Sequence, residues 1–235
     1  MAKELPDKKT PAPKEEVVKA LWQAWEDYFG TTPKRESIWI LVSQWALETG
    51  WGKSMHCFNY GNVKSREGDG FDYTYFACNE ILKTSAAESC QAKNPDTAKI
   101  TRYRSDGKAI IWFYPKHPYC RFRAFKTLRE GAIDHLSLIH KRFSRAWPAV
   151  LAGDPALYAH MLKLQRYYTA DESAYTKTLV AVFRMVARLK VDYKALEAPE
   201  PEKKQEGLTE DQKRRILNLV ALTAQQSYED SRPEY

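Results

Sequence analysis

The sequence predicts an α+β protein that is mainly α: a helical domain with a small inserted β lobe, and a C-terminal helix after a linker. Three observations lead there. Apolar residues recur at helical spacing on both sides of the middle of the chain. Between them, residues 66–118 switch to aromatic, β-prone segments parted by glycine-containing turns. After Lys194 comes a run rich in proline and charge, ALEAPEPEKKQEG, and then one last narrow apolar stripe. The chain's 235 residues suffice for one domain with a real core plus tails.

Taken in order, residues 1–14 are polar, contain proline and read as a flexible tail. Residues 15–29 place Val18, Leu21, Trp22, Trp25, Tyr28 and Phe29 on one face of a helix that Gly30 stops. Residues 38–47 are apolar almost all round and predict a helix buried on most faces, started by Thr32 and Pro33 and ended by Gly50. An irregular loop follows over 51–65. In the β lobe, 71–78 is aromatic and β-prone and 86–96 is polar and turn-rich. Residues 100–104 and 109–114 read as two short strands around the Asp106-Gly107 turn.

Helical spacing returns over 122–143, with Phe125, Leu128, Ile133, Leu136 and Ile139 facing inwards. A further helix starts at Asp154-Pro155, an N-cap followed by a first-turn proline. Thr169 and Glu172 fit a capping box for the last core helix, which carries Tyr175, Leu179, Val182, Val186 and Leu189. The domain is expected over 15–195, the linker over 196–207, and a terminal helix over 208–227. The stripe of that helix (Ile216, Leu219, Val220, Thr223) either packs back on the domain or docks a protein partner.

Lys and Arg number 37 against 30 Asp and Glu, a net charge of +7 that favours an anionic partner. The cations are scattered rather than gathered on one helix or arm, which argues against nucleic acid. No run of 18 apolar residues exists, so no stable membrane insertion is expected. The first residues, MAKELPDKKTPAPKEE, lack the apolar segment of a secretory signal. Aromatic content is high, with 7 Trp and 14 Tyr; flat rings suit sugar faces as well as core packing. The cysteines (Cys57, Cys78, Cys90, Cys120) show no CxxC pairing, and Cys78 with Cys90 or Cys57 with Cys120 are possible bridges. The five histidines fall at no metal spacing, so neither a metal nor any other cofactor is expected.

One ionisable residue stands at the end of the buried helix. Glu48 is disfavoured as an anion by apolar surroundings and by the negative end of the helix dipole. Both raise its pKa, and a carboxylic acid kept protonated near neutral pH is what protonates the leaving oxygen of a glycoside.

The run Glu48-Thr49-Gly50-Trp51-Gly52-Lys53-Ser54, with Asn59-Tyr60-Gly61-Asn62-Val63-Lys64 after it, resembles the signature of the glucosaminidase branch of the lysozyme-like superfamily, glycoside hydrolase family 73. There, Glu-Ser/Thr-Gly-Trp-Gly-Lys-Ser precedes Asn-Leu-Phe-Gly-Ile-Lys. Asn62-Val63 departs from the family's Ile. Phe122-Arg123-Ala124-Phe125 and Tyr168-Thr169-Ala170-Asp171 resemble two further family runs, extending the resemblance over about 15–189.

The resemblance implies a lysozyme-like fold and a peptidoglycan hydrolase acting on β-1,4 bonds of the glycan strand, as an N-acetylglucosaminidase with Glu48 as general acid. It implies a second carboxylate on the β lobe at Glu80, with Asp72, Glu67 and Asp69 as rivals, and a tyrosine facing the acid at Tyr168, with Tyr167 as the neighbour in register. Trp51, Asn59, Tyr60 and Tyr167 are the candidate substrate-binding residues. Other readings are a muramidase, a lytic transglycosylase, or a non-catalytic wall-binding or assembly protein of a phage or secretion machine. Such a protein would be made in the cytoplasm and reach the periplasm or wall by lysis, injection or dedicated export.

Overall fold

The computed structural model describes residues 2–197; the helix expected over 208–227, and the linker beyond residue 197, lie outside the described residues. The architecture is α+β and mainly α, lysozyme-like in its division into a helical body and a small β lobe. Its centre is α2 (Arg35–Thr49), whose Ile38, Ile40, Leu41, Val42 and Trp45 are fully buried. α1 (Lys14–Phe29), α5 (Trp147–Ala152) and α7 (Glu172–Val186) pack around it, and α4 (Leu128–Arg142) packs on α1. α6 (Pro155–Leu164) joins α5 to α7, and a short α8 (Tyr193–Glu197) closes the described chain. Because α2 is apolar on nearly every face, it can only be stable as the rod the other helices wrap.

Helix ends follow their sequence signals in most places. Gly30 and Gly50 take left-handed conformations and send their N–H groups back to Glu26 and Ala46. Asp154 caps α6 by accepting from the N–H groups of Ala156 and Leu157. Two expectations need correction. α2 starts at Arg35 with Lys34 as its uncapped N-cap, so Thr32 plays no part. The cap of α7 is Asp171, accepting from the Ala174 N–H, rather than Thr169; Glu172 is the first helical residue and reaches His160 instead.

The lobe holds two small antiparallel sheets. β1 (Tyr73–Tyr75) pairs with β5 (Arg121–Arg123), and β2 (Cys78–Lys83), β4 (Lys108–Phe113) and β3 (Ala98–Tyr103) form a three-stranded sheet in that order. The β3–β4 hairpin turns at Asp106-Gly107 as its sequence predicts. α3 (Thr84–Lys93) lies on one face of this sheet, its Ala87 clustered with Ala98, Ala109, Ile111 and Phe113. The polar 86–96 stretch is therefore largely helical: only Ala87 is buried along it, and a single buried position leaves no apolar period to read. The helix expected over 122–143 begins only at Leu128, since 121–123 is drawn into β5 by its pairing with β1.

The first residues are not a loose tail. The N–H groups of Leu5 and Tyr73 donate to Tyr73 O (2.7 Å) and Lys3 O (2.9 Å) beside β1, and Thr10 N–H donates to Met55 O (2.9 Å). Thr10 is buried, its hydroxyl accepts from the Phe58 N–H, and Cys57 N–H donates to Lys8 O. Backbone groups satisfied this way order a segment whose composition alone reads as unstructured.

Candidate active site

Glu48 lies in the last turn of α2 and opens onto a pocket of about 590 Å³. Leu47 joins it from the same helix; Tyr167 and Tyr168 come from the turn after α6, and Tyr175 and Thr178 from α7. Burial pushes the Glu48 carboxyl above the ordinary range of a glutamate, and a hydrogen bond from the Tyr167 hydroxyl pulls it partly back. Its place at the helix C-terminus works in the same direction as burial. Tyr167 is itself pushed well up by burial and by the neighbouring Glu48 charge, so it keeps its proton and donates it into the hydrogen bond.

The chain builds this pair from two directions. Past α2, the Asn62 side-chain amide donates to the Glu48 carbonyl (2.8 Å), satisfying one of the orphan acceptors at the helix end. Past α6, Arg166 turns through a left-handed conformation and Tyr167 N–H donates to Leu162 O (3.0 Å). That turn swings the Tyr167 ring inwards against Phe143, edge to face at 4.8 Å.

Of the two tyrosines offered by the sequence, Tyr167 and not Tyr168 hydrogen-bonds Glu48. Tyr168 lines the pocket, but its hydroxyl donates to the Ala159 carbonyl (3.0 Å) and its ring stacks on Tyr175 at 3.8 Å. The hydroxyl on Glu48 is that of Tyr167, because the left-handed Arg166 precedes it directly. Tyr175, read from sequence as a core residue, is a pocket residue whose buried hydroxyl has no hydrogen-bond partner among the described residues.

The other candidates lie elsewhere. Glu80, on β2, is outside the pocket, 3.3 Å from the Lys64 ammonium, with its side chain 41% exposed. Asp69 accepts from the N–H groups of Arg66 and Phe71 and holds their turn together, while Asp72 accepts from the Lys3 N–H and holds the N-terminal segment. Trp51 packs edge-on to Trp45 beneath the Lys14 ammonium rather than lining the pocket. Asn59 is fully buried, donating to the carbonyls of Val63 and Arg123 and accepting from the Val63 N–H. With both donors used, it shapes the loop rather than meeting a sugar. Tyr60 is 1% exposed, in the core beside His135.

The motif arginine Arg123 pairs with buried Asp134 at 2.7 Å and lies over the Phe71 ring, tying the lobe to α4. The four cysteines are unbridged, and the Cys78 thiol meets Cys120 rather than Cys90. That hydrogen bond, with Lys64 3.3 Å away, brings the Cys78 thiol down to about 7. Among the described residues no group of His, Cys, Asp and Glu is arranged to hold a metal ion, and no helix is long and apolar enough to cross a membrane.

Residues 37–188 match the family model Glucosaminidase, described as mannosyl-glycoprotein endo-beta-N-acetylglucosaminidase. No curated protein matches the chain. Among solved structures it is similar to a C-terminally truncated glycoside hydrolase domain from Salmonella typhimurium FlgJ, at TM-score 0.43 and 16% identity over 75% of this chain and 99% of that one. It is also similar to the catalytic domain of the autolysin Auto from Listeria monocytogenes, at TM-score 0.43 and 14% identity over 77% and 88%.

Proposed function

Since the chain belongs to the glucosaminidase family and is a glycoside hydrolase, we propose that it cleaves the β-1,4 bond after N-acetylglucosamine in the glycan strand of peptidoglycan, with Glu48 as general acid. The observation that carries this reading is the partly buried Glu48 at the end of α2, facing a pocket and held by Tyr167. A carboxyl raised by burial keeps its proton to higher pH than an ordinary glutamate and can pass it to the glycosidic oxygen as the bond breaks. The Tyr167 hydroxyl then steadies the carboxylate left behind. Tyr175, with an unpartnered hydroxyl in the same pocket, is placed to donate to an acceptor on the sugar, its N-acetyl carbonyl above all.

The developing positive charge on the sugar needs a counterpart. Glu48 is the one carboxylate among the described residues that line the pocket. Glu80 is proposed as the second, carried in when the lobe closes on a bound strand and Lys64 releases it. The solitary carboxylate also favours a second reading, lytic transglycosylase action, which needs no water-activating base.

Mass spectrometry of purified peptidoglycan after digestion separates the readings. The expected products end in reducing N-acetylglucosamine. Reducing N-acetylmuramic acid would replace the proposal with a muramidase, anhydro-sugars would replace it with a transglycosylase, and intact strands would leave only wall binding.

Tyr167→Phe supplies a pH test of the acid. The lost hydrogen bond favours the carboxylate, so removing it raises the Glu48 pKa further. The rate of a general acid falls as pH climbs through its pKa. The alkaline limb of the kcat profile is therefore expected to move to higher pH in the variant. A limb that stays put or moves down would remove Tyr167 from contact with the titrating acid.

A further inference from the structure

We propose that the face of the three-stranded sheet left open by the described residues is a second contact surface for the wall polymer, with Trp112 as a stacking platform for a sugar ring and Lys83, Lys99 and Arg102 around it for peptide carboxylates. The proposal rests on the substrate class given above and extends it to a surface away from Glu48.

The strand registers define the face. Along β4, Ala109, Ile111 and Phe113 are fully buried beneath α3, so the alternating Lys108, Ile110 and Trp112 point the other way. Their cross-strand partners point with them. Asn79 and Lys99 flank Trp112, Ile81 and Arg102 flank Ile110, and Lys83 flanks Lys108. Glu80 and Leu82 fall on the α3 side with Ile111 and Ala109, so no carboxylate of these strands joins the open face.

That face is exposed where a covered sheet would not be. Ile81 is 51% exposed, Trp112 and Ile110 are only half-buried, and Asn79, Lys83, Lys99 and Arg102 are exposed. Among the described residues, Lys83, Lys99 and Arg102 have no ion pair, while Lys108 is 3.9 Å from Asp106. Three cations without an ion pair among the described residues therefore surround three apolar side chains, and the only acid at the edge is Asp106, in the turn beside Lys108. Three strands at about 4.8 Å spacing make a surface roughly 10 Å across, the width of a sugar ring with its substituents.

The chemistry selects the occupant. A pyranose offers an apolar C–H face to an indole, and the central row sets an amide on one side of that indole and an ammonium on the other. Asn79 and Lys99 can meet hydroxyl and N-acetyl groups, while the outer cations match the carboxylates that make the polymer acidic. A lipid bilayer would use Ile81 and the cations but leave Asn79 and the recessed indole without a role.

The test is sedimentation with insoluble purified peptidoglycan, in chains carrying Glu48→Gln so that the polymer stays intact. Trp112→Ala is expected to weaken binding about tenfold, the scale of one lost aromatic contact, and Trp112→Phe to keep most of it. Lys99→Glu with Arg102→Glu is expected to weaken binding and flatten its salt dependence. Circular dichroism and thermal melting check the fold of each variant; should Trp112→Ala not fold, the other two decide. Parent-like binding by the charge-reversed and Trp112→Ala chains, or no binding by the parent, would overturn the proposal. So would binding to anionic phosphatidylglycerol vesicles in place of peptidoglycan. Cleavage by the unsubstituted chain is scored separately, so failure of the enzymatic reading is distinguishable from failure of this surface.

Discussion

Replacing Glu48 by Gln is expected to lower peptidoglycan turnover by about 10²–10⁴-fold, the usual contribution of a positioned general acid, while leaving the fold intact. The two shapes are nearly the same, so the pocket and the Tyr167 contact survive, but an amide has no proton to give. Stability sharpens the test. Burial raises the Glu48 pKa in the folded chain, so the folded protein holds a proton that the unfolded chain has already released. Above the unfolded value of a glutamate, that carboxyl therefore counts against folding, and increasingly so until the folded pKa is passed. Gln carries no such burden. Glu48→Gln should melt no lower than the parent at neutral pH, and the difference should vanish in acid below the ordinary carboxylate range. Turnover and melting temperature measured on the same preparation check both halves. Retained turnover would dismiss Glu48 as the acid; turnover lost together with the fold would make it structural.

Gly131→Ala is expected to destabilise the protein by about 3 kcal/mol, at the upper end of overpacking costs. In an ordinary helix the same change would stabilise by up to about 1 kcal/mol. Here an added Cβ would fall well inside contact distance of the Phe58 carbonyl oxygen, 3.0 Å from its carbon and 3.2 Å from the Tyr60 ring. The obstacle is backbone, which no rotamer change moves aside. Phe58 also already has a left-handed φ of 52°, and its N–H is held by Thr10. At a domain of this size the cost corresponds to a melting point lower by roughly 6–12 °C. An unchanged or higher melting point would mean that the loop over α4 yields freely.

What could be read from the sequence was whatever depends on neighbours along the chain. α2 announced itself by being apolar all round, Gly50 marked its end, Asp154-Pro155 opened α6, and Asp106-Gly107 made the hairpin. Glu48 was legible for the same reason, since its burial follows from its place at the end of such a helix. Contacts between distant segments were not legible. Residues 121–123 belong to β5 because Tyr73–Tyr75 lies alongside, and nothing within 121–123 says so. Asn59 looked like a polar cleft residue, yet Val63 and Arg123 take its amide. Tyr167 and Tyr168 differ in role only through the left-handed turn at Arg166, which the local residues do not announce. The ordering of residues 2–13 likewise depends on partners at 55–58 and 72–73.

The ordered N-terminal segment joins residues half a hundred positions apart into one opening unit. Residues 55–58 cannot lift from the body while Lys8, Thr10 and Pro6 still hold Met55, Cys57 and Phe58. Exchange of the Cys57 and Phe58 amide hydrogens should therefore be governed by the peeling of residues 3–10, and not by the loop's own irregular shape. The backbone running on from Glu48 thus owes part of its rigidity to the far end of the polypeptide.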